Sequence, residues 1–171
     1  MNHVLTTGRL VLRPATVEDQ GWLMEHWTAP DVRRFLFDGD VLAEAEIART
    51  IADSSADFAA HGYGLWLVYE VGGDSPIGTA GLRPLEELGL EVFYSLSPPA
   101  WGKGYATEAA RAVVDHALGT LALPEVLAEV DEGNRASVAV VSRLGMEPFE
   151  VVQGLLGPMT RYRTGSGFRT P

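Results

Sequence analysis

The sequence predicts an α+β (mixed α/β) domain with one parallel βαβ unit. Apolar residues recur at every second position in several short stretches and at every third to fourth position in a few longer ones. Strand-like runs at 90–96 and 124–131 flank the strongest helical pattern in the chain, an arrangement that a right-handed crossover between parallel strands satisfies. A length of 171 residues, 46% of them hydrophobic, suffices for one core without covalent staples, so one domain over residues 1–171 is expected.

Arg9 to Arg13 alternate as a strand that Pro14 ends. Thr16, followed by Glu18 and Asp19, has the form of a helix N-cap with an acidic first turn; Leu23 and Trp27 share a face, and Pro30 is expected to stop the helix. A second helix is expected over about 41–60, with Ala43, Ile47, Ile51 and Phe58 on one side. Leu65–Val71 reads as a buried strand, Gly72-Gly73-Asp74 as a turn, and Pro76–Leu82 as a strand whose Gly78 and Gly81 mark close backbone approach. After a turn at 85–89, Leu90–Leu96 is a strand ending at Ser97-Pro98-Pro99. Ala106, Ala109, Ala110, Val113, Val114, Ala117 and Leu118 then form one apolar helical stripe. Pro124–Asp131 is a strand, Asn134 caps a helix closed by Gly145, and weaker strands are expected at about 148–153 and 159–164.

With 13 Lys+Arg against 23 Asp+Glu, the formal charge of −10 argues against a nucleic-acid-coating role and is compatible with a cationic acceptor or with simple solubility. The chain has no cysteine, which removes thiol catalysis and thiolate-bound metals. Its four histidines, His3, His26, His61 and His116, show no ligand-like spacing and read as surface or packing residues, so no metal site is expected. The start resembles no signal peptide, and the longest apolar run, Leu65–Tyr69, falls far short of the ~20 residues of a membrane helix. A soluble, cytoplasmic protein is expected.

The most informative stretch is Pro98-Pro99-Ala100-Trp101-Gly102-Lys103-Gly104-Tyr105-Ala106-Thr107-Glu108. A strand ends, prolines turn the chain, and small residues open a helix. Gly102 and Gly104 let successive N–H groups converge on an anion, and the helix behind adds unpaired N–H groups and its positive dipole end. A plain Gly-rich turn is the other reading. A dinucleotide fingerprint is excluded by Thr107, a P-loop by Gly104 after Lys103, and a serine-hydrolase elbow by the lack of Gly-x-Ser-x-Gly.

Four blocks in order resemble the GNAT superfamily of acyl-CoA-dependent N-acetyltransferases, and within it the RimJ/RimL-like ribosomal-protein branch. These are Arg9–Pro14 with Glu18-Asp19; Ile77–Leu82; Tyr94–Pro98 with Trp101–Ala109; and Asn134–Ser137 with Arg143–Met146. The resemblance spans nearly the whole chain. It implies a splayed mixed sheet of about seven strands flanked by about four helices, an acetyl-CoA co-substrate, no metal, and a primary-amine acceptor, either a protein N-terminus or a small molecule. It also implies a monomer or homodimer with no nucleic-acid or membrane partner. The pantetheine arm would pair with the backbone of Tyr94, Ser95 and Leu96, and the pyrophosphate would sit on the N–H groups of Trp101, Gly102, Lys103, Gly104, Tyr105, Ala106 and Thr107. Trp101 stands where many members have Gln or Arg. Asn134 resembles a cofactor-contacting residue and is equally a helix cap; Arg143 is either a phosphate contact or a last-turn cation.

Two residues lead the candidates for the chemistry. Glu91 resembles the acidic strand residue that acts as a base through water, its other reading being a solvated charge. Many members place a Tyr acid seven residues after the Asn; here that position is Val141, and the branch's Ser three residues after the Asn is Ser137. Ser137 is therefore the candidate for holding or protonating the thiolate, or else an ordinary first-turn residue; Tyr105 and Tyr162 are further candidates. A lysine-like amine must give up a proton at a cost of about 4.6 kcal/mol at pH 7, an α-amine only about 1 kcal/mol. A backbone N–H near Leu96 would stabilise the oxyanion by roughly 2.7–4 kcal/mol. The missing Tyr leaves a second possibility, a catalytically inactive acyl-CoA-binding sensor or scaffold.

Overall fold

A computed structural model describes residues 2–165. It contains eight strands and five α-helices: β1 Leu5–Thr6, β2 Leu10–Pro14, α1 Gln20–Thr28, α2 Pro30–Leu36, α3 Glu44–His61, β3 Leu65–Glu70, β4 Gly78–Leu85, β5 Gly89–Leu96, α4 Tyr105–Asp115, β6 Leu127–Asp131, α5 Arg135–Arg143, β7 Glu147–Gly154 and β8 Gly157–Arg163. The counts exceed the sequence expectation by one strand and one helix. β1 is two residues long, too short for any period to show. The extra helix is α2, which Pro30 begins rather than prevents. At the first helical position the missing N–H has no partner to lose, and proline's fixed φ suits the turn.

All eight strands form one sheet in the order β1-β2-β3-β4-β5-β6-β8-β7. From β1 to β5 every pairing is antiparallel; β5 and β6 are parallel, joined through α4 as the βαβ reading predicts. β8 lies between β6 and β7, so the chain leaves the sheet through α5, adds an outer strand and returns inside it. The glycines of β4 stand where predicted. A Cβ on Gly81 would lie 2.5 Å from the Gly64 carbonyl oxygen, and one on Gly78 would collide with the carbonyl of Ser95.

A core lies on each face of the sheet. On one side α4 and α5 bury Ala109, Ala110, Val113, Val114 and Val141 against Val92, Leu96, Ala128 and Val130. On the other, α1 and α3 bury Leu23, Trp27, Ile47 and Ile51 against Leu65 and Leu67. β3, covered on both faces, buries Leu65, Trp66, Leu67 and Val68, which is why its sequence runs apolar without alternation. The apolar stripe of α4 is buried as expected, and the helix then widens into a π-type turn over His116–Thr120.

Candidate active site

The parallel strands β5 and β6 meet at one register pair, Glu91 opposite Leu127, and diverge beyond it. The divergence opens a cleft of about 1080 Å³ lined from both faces of the sheet. Ser97 donates its N–H to Ile77 at 2.8 Å, towards β4. By alternation Ser95 also turns its backbone to β4, while Tyr94 and Leu96 turn theirs into the gap. This corrects the assignment of Ser95. It lines the cleft, but its carbonyl lies against Gly78 and its hydroxyl bonds Thr79 at 2.6 Å and His26 at 2.9 Å. The Leu96 carbonyl accepts the Trp101 indole N–H at 2.8 Å, which leaves the Leu96 N–H facing the gap and seats Trp101 over the mouth.

At that mouth Gly102 (φ 75°) and Gly104 (φ 80°) take left-handed backbone angles. The first bond of α4 runs from Glu108 N–H to Gly104 at 3.1 Å, so the N–H groups of Tyr105, Ala106 and Thr107 have no helical partner. The Thr107 hydroxyl is buried and also unpartnered, in a residue that lines the cleft. Convergent donors, the positive end of a helix and an orphaned hydroxyl fit a phosphate group. Lys103 fits least well: its side chain is exposed, it does not line the cleft, and its carbonyl accepts Arg9 at 2.9 Å.

Arg9 was not singled out from the sequence, yet it holds this loop in place. It bonds Glu108 at 2.7 Å and lies 4.5 Å over the Tyr105 ring as well as bonding Lys103. The Tyr105 hydroxyl, proposed above as a further acid, donates to Glu70 at 2.9 Å. Tyr162 does not line the cleft.

On α5, Asn134 caps the helix by accepting the Ser137 N–H at 3.2 Å, and both residues, with Arg143, line the cleft. The helix-cap reading of Asn134 is thus observed, and its place in the cleft wall leaves it free to meet a ligand as well. Val141 is buried in the core and offers nothing to the cleft. The group facing Ser137 is the side chain of Tyr94, predicted only for its backbone. Burial pushes its hydroxyl up to about 12, and the neighbouring Ser137 side chain offsets part of that rise. Strand alternation could have found it, since Tyr94 shares the α4 side with Val92 and Leu96.

The opposite face of β5 carries Glu91, Phe93 and Ser95. Glu91 is 6% exposed and pairs with Arg83 at 2.7 Å. Burial raises its carboxyl above the usual range, against the pull of Arg83. Across the gap, Glu129 is held by Arg161, which also binds Glu86 and Glu150, at 2.8, 2.9 and 3.0 Å respectively. Asp31, Phe35 and Asp38 from α2 and the turn after it complete this wall with Met159 of β8. Of the four Trp and Phe residues at 20–40, Phe35 alone lines the cleft. Trp27 and Phe37 pack in the second core, and Trp22 stacks on His26 at 4.5 Å. His26 is buried, and burial lowers it to about 4, so it is a neutral link in the Ser95–Ser97 network. Among the described residues no cluster of His, Asp, Glu or Cys is placed to hold a metal, and no helix is long and apolar enough to cross a membrane.

A parallel strand pair splayed around a glycine nest at a helix start defines the class of acyltransferase that the sequence resembles. The chain belongs to the acetyltransferase (GNAT) domain family, which matches residues 9–147. It is 30% identical over 151 residues to the uncharacterized N-acetyltransferase p20 of Bacillus licheniformis, covering 85% of this chain and 83% of that one. Its fold is similar to the crystal structure of an acetyltransferase from Agrobacterium tumefaciens (TM-score 0.81, 25% identity, 95% of this chain and 94% of that one). It is also similar to RimL, a ribosomal L7/L12 alpha-N-protein acetyltransferase in complex with coenzyme A (TM-score 0.78, 14% identity, 94% of this chain and 96% of that one).

Proposed function

We propose that the protein acts as a single domain over residues 1–171, transferring the acetyl group of acetyl-CoA to a primary amine, in the manner of the RimJ/RimL-like branch. The observation that carries this reading is the gap between β5 and β6, where Tyr94 and Leu96 present backbone groups and which opens onto the Gly102–Gly104 nest. An extended pantetheine arm can add to β5 there as a strand would. The nest, the free N–H groups of α4 and the Thr107 hydroxyl suit the pyrophosphate, and Arg143 lies in the same wall.

The chemistry divides between the two walls. Glu91, with its raised carboxyl, takes the amine's proton through a chain of water molecules along the gap, and the nitrogen bonds the acyl carbon as the carbon–sulfur bond breaks. The Leu96 N–H receives the negative charge developing on the thioester oxygen. Ser137, backed by Tyr94, returns a proton to the departing sulfur. The test is turnover with an amine panel. Because the chain has no cysteine, every thiol that a thiol-reactive dye counts is released CoA. Amine-dependent release supports the reading; its absence, with tight CoA binding retained, supports instead a non-catalytic acyl-CoA-binding sensor or scaffold. The buried Val141, in place of a tyrosine, is the observation that favours this second reading.

A further inference from the structure

The α2-side wall of the cleft contains a carboxylate with no partner. Asp131 ends β6, is 5% exposed and lines the cleft, and its Oδ1 is buried without a hydrogen bond among the described residues. The neighbouring carboxylates on this wall are paired: the buried Glu91 with Arg83 at 2.7 Å and the partly buried Glu129 with Arg161 at 2.8 Å. The charges acting on Asp131 are those of Asp38 and Glu129, both negative, and with burial they raise its carboxyl. Asp38 is exposed, lines the same cleft and takes part in no ion pair among the described residues. A buried acid among like charges destabilises the free protein, and a cation entering the cleft removes that cost.

We propose that Asp131, with Asp38 at the rim, forms a cation subsite, so that the acceptor is an amine carrying a second cationic nitrogen. This rests on the acetyltransferase reading above and sharpens it to a substrate class. Alternation puts Asp131 on the same face as Glu129 and Glu91. It stands four residues beyond Leu127, the partner of Glu91, hence roughly 13 Å along the strand. That puts it near the level of Ser95 and Leu96 on β5, on the far side of the gap from the Leu96 N–H, with Phe35 and Met159 beside it as apolar wall. A linear polyamine and a peptide N-terminus followed by a basic side chain share this chemistry.

The test measures transfer to paired acceptors that differ in one group: a linear triamine against its chain-length match with an uncharged far end, and a short peptide with lysine against the same peptide with norleucine. Wild type is expected to prefer the dicationic member at least tenfold in kcat/KM, and the pair with the larger preference identifies the source of the amine. Asp131→Asn is expected to erase most of that preference through KM, leave kcat for the uncharged-end amine within twofold, and raise Tm. Asp38→Asn, on an exposed turn where asparagine tolerates the left-handed φ of 53°, is expected to reduce the preference about two- to threefold with Tm unchanged. Equal kcat/KM within both pairs overturns the subsite while the acetyltransferase reading stands. A preference untouched by both variants, or a fall in Tm for Asp131→Asn, also overturns it. No transfer to any amine overturns the earlier reading, and this one with it.

Discussion

On the α4 side of the cleft the groups that face a ligand are mostly backbone N–H groups, whereas on the α2 side they are side-chain carboxylates. The first wall is made within one segment, Trp101–Thr107, by two glycines and a helix start. The second is assembled from α2, β5, β6 and β8, and two of its carboxylates, Glu91 and Glu129, are balanced by Arg83 and Arg161. A backbone wall offers the same donors whatever the neighbouring side chains are, which suits a common group such as a diphosphate. A side-chain wall can be rewritten one residue at a time, which suits the partner that differs between enzymes.

The largest effect that would break this contrast comes from the backbone wall. Gly104→Glu places a side chain at φ 80° and a negative charge among the anion donors. Calorimetry should detect no binding of CoA, while Tm falls by only a few degrees, because the space around the Cβ holds only the Arg9 guanidinium at 3.5 Å. Unchanged affinity would remove the phosphate from this loop. Next in size, Glu91→Gln should lower kcat by roughly 10²–10⁴-fold with CoA affinity unchanged. Equal kcat in the two proteins would take Glu91 out of the chemistry and leave it as the partner of Arg83.

The carboxylate wall also makes a stability prediction. Arg161→Met leaves Glu129, whose side chain is 19% exposed, with no counter-charge, while Glu86 and Glu150 can turn to water. The loss should be on the order of 2 kcal/mol by urea unfolding, below the range for a pair buried on both sides, because Glu129 keeps some access to water. A loss under 1 kcal/mol would mean that the wall tolerates its charges without the arginine.

The same contrast explains what the sequence could disclose. The nest, the α4 stripe and the order of strands were legible because each is written in consecutive residues: Gly102 and Gly104, Ala109 to Val114, the βαβ period. Asp131 was not, because its meaning depends on Asp38 and Glu129 and on the insertion of β8, none of which is local. Glu91 could be named from its strand position, yet its pairing with Arg83 depends on the β4–β5 register. Pro30 ends the first helix as expected, yet it also opens α2, because proline's local rule forbids a helix interior and permits a helix start. Ser95 misled because the side of a strand to which a backbone group turns depends on its neighbours' pairing.

His26 tests the network beneath the carboxylate wall through pH. Its folded value of about 4 lies below the ordinary 6.5, so on acidification the unfolded chain binds a proton first. This contribution is complete above pH 6.5, is lost as pH falls towards 4, and amounts to at most about 3 kcal/mol. Glu91 and Asp131 have raised carboxyls and act in the opposite sense, so the histidine is isolated by difference against His26→Gln. The two proteins should converge in urea-unfolding free energy between pH 7 and pH 4.5; parallel curves would mean that His26 titrates normally.

The smallest effect separates two signs within one residue of the backbone wall. The Thr107 hydroxyl is buried with no partner, so in the free protein it costs stability, and when a phosphate arrives it becomes a donor. Thr107→Val keeps the shape and the branched Cβ while removing that hydroxyl. The free protein should gain about 1 kcal/mol in urea unfolding, and CoA should bind several-fold more weakly. A purely structural threonine would move both quantities in the unfavourable direction. A threonine turned away from the ligand would leave CoA affinity alone. Only opposite signs in the two measurements fit a hydroxyl held out of water for a ligand, the condition also argued for Asp131 across the cleft.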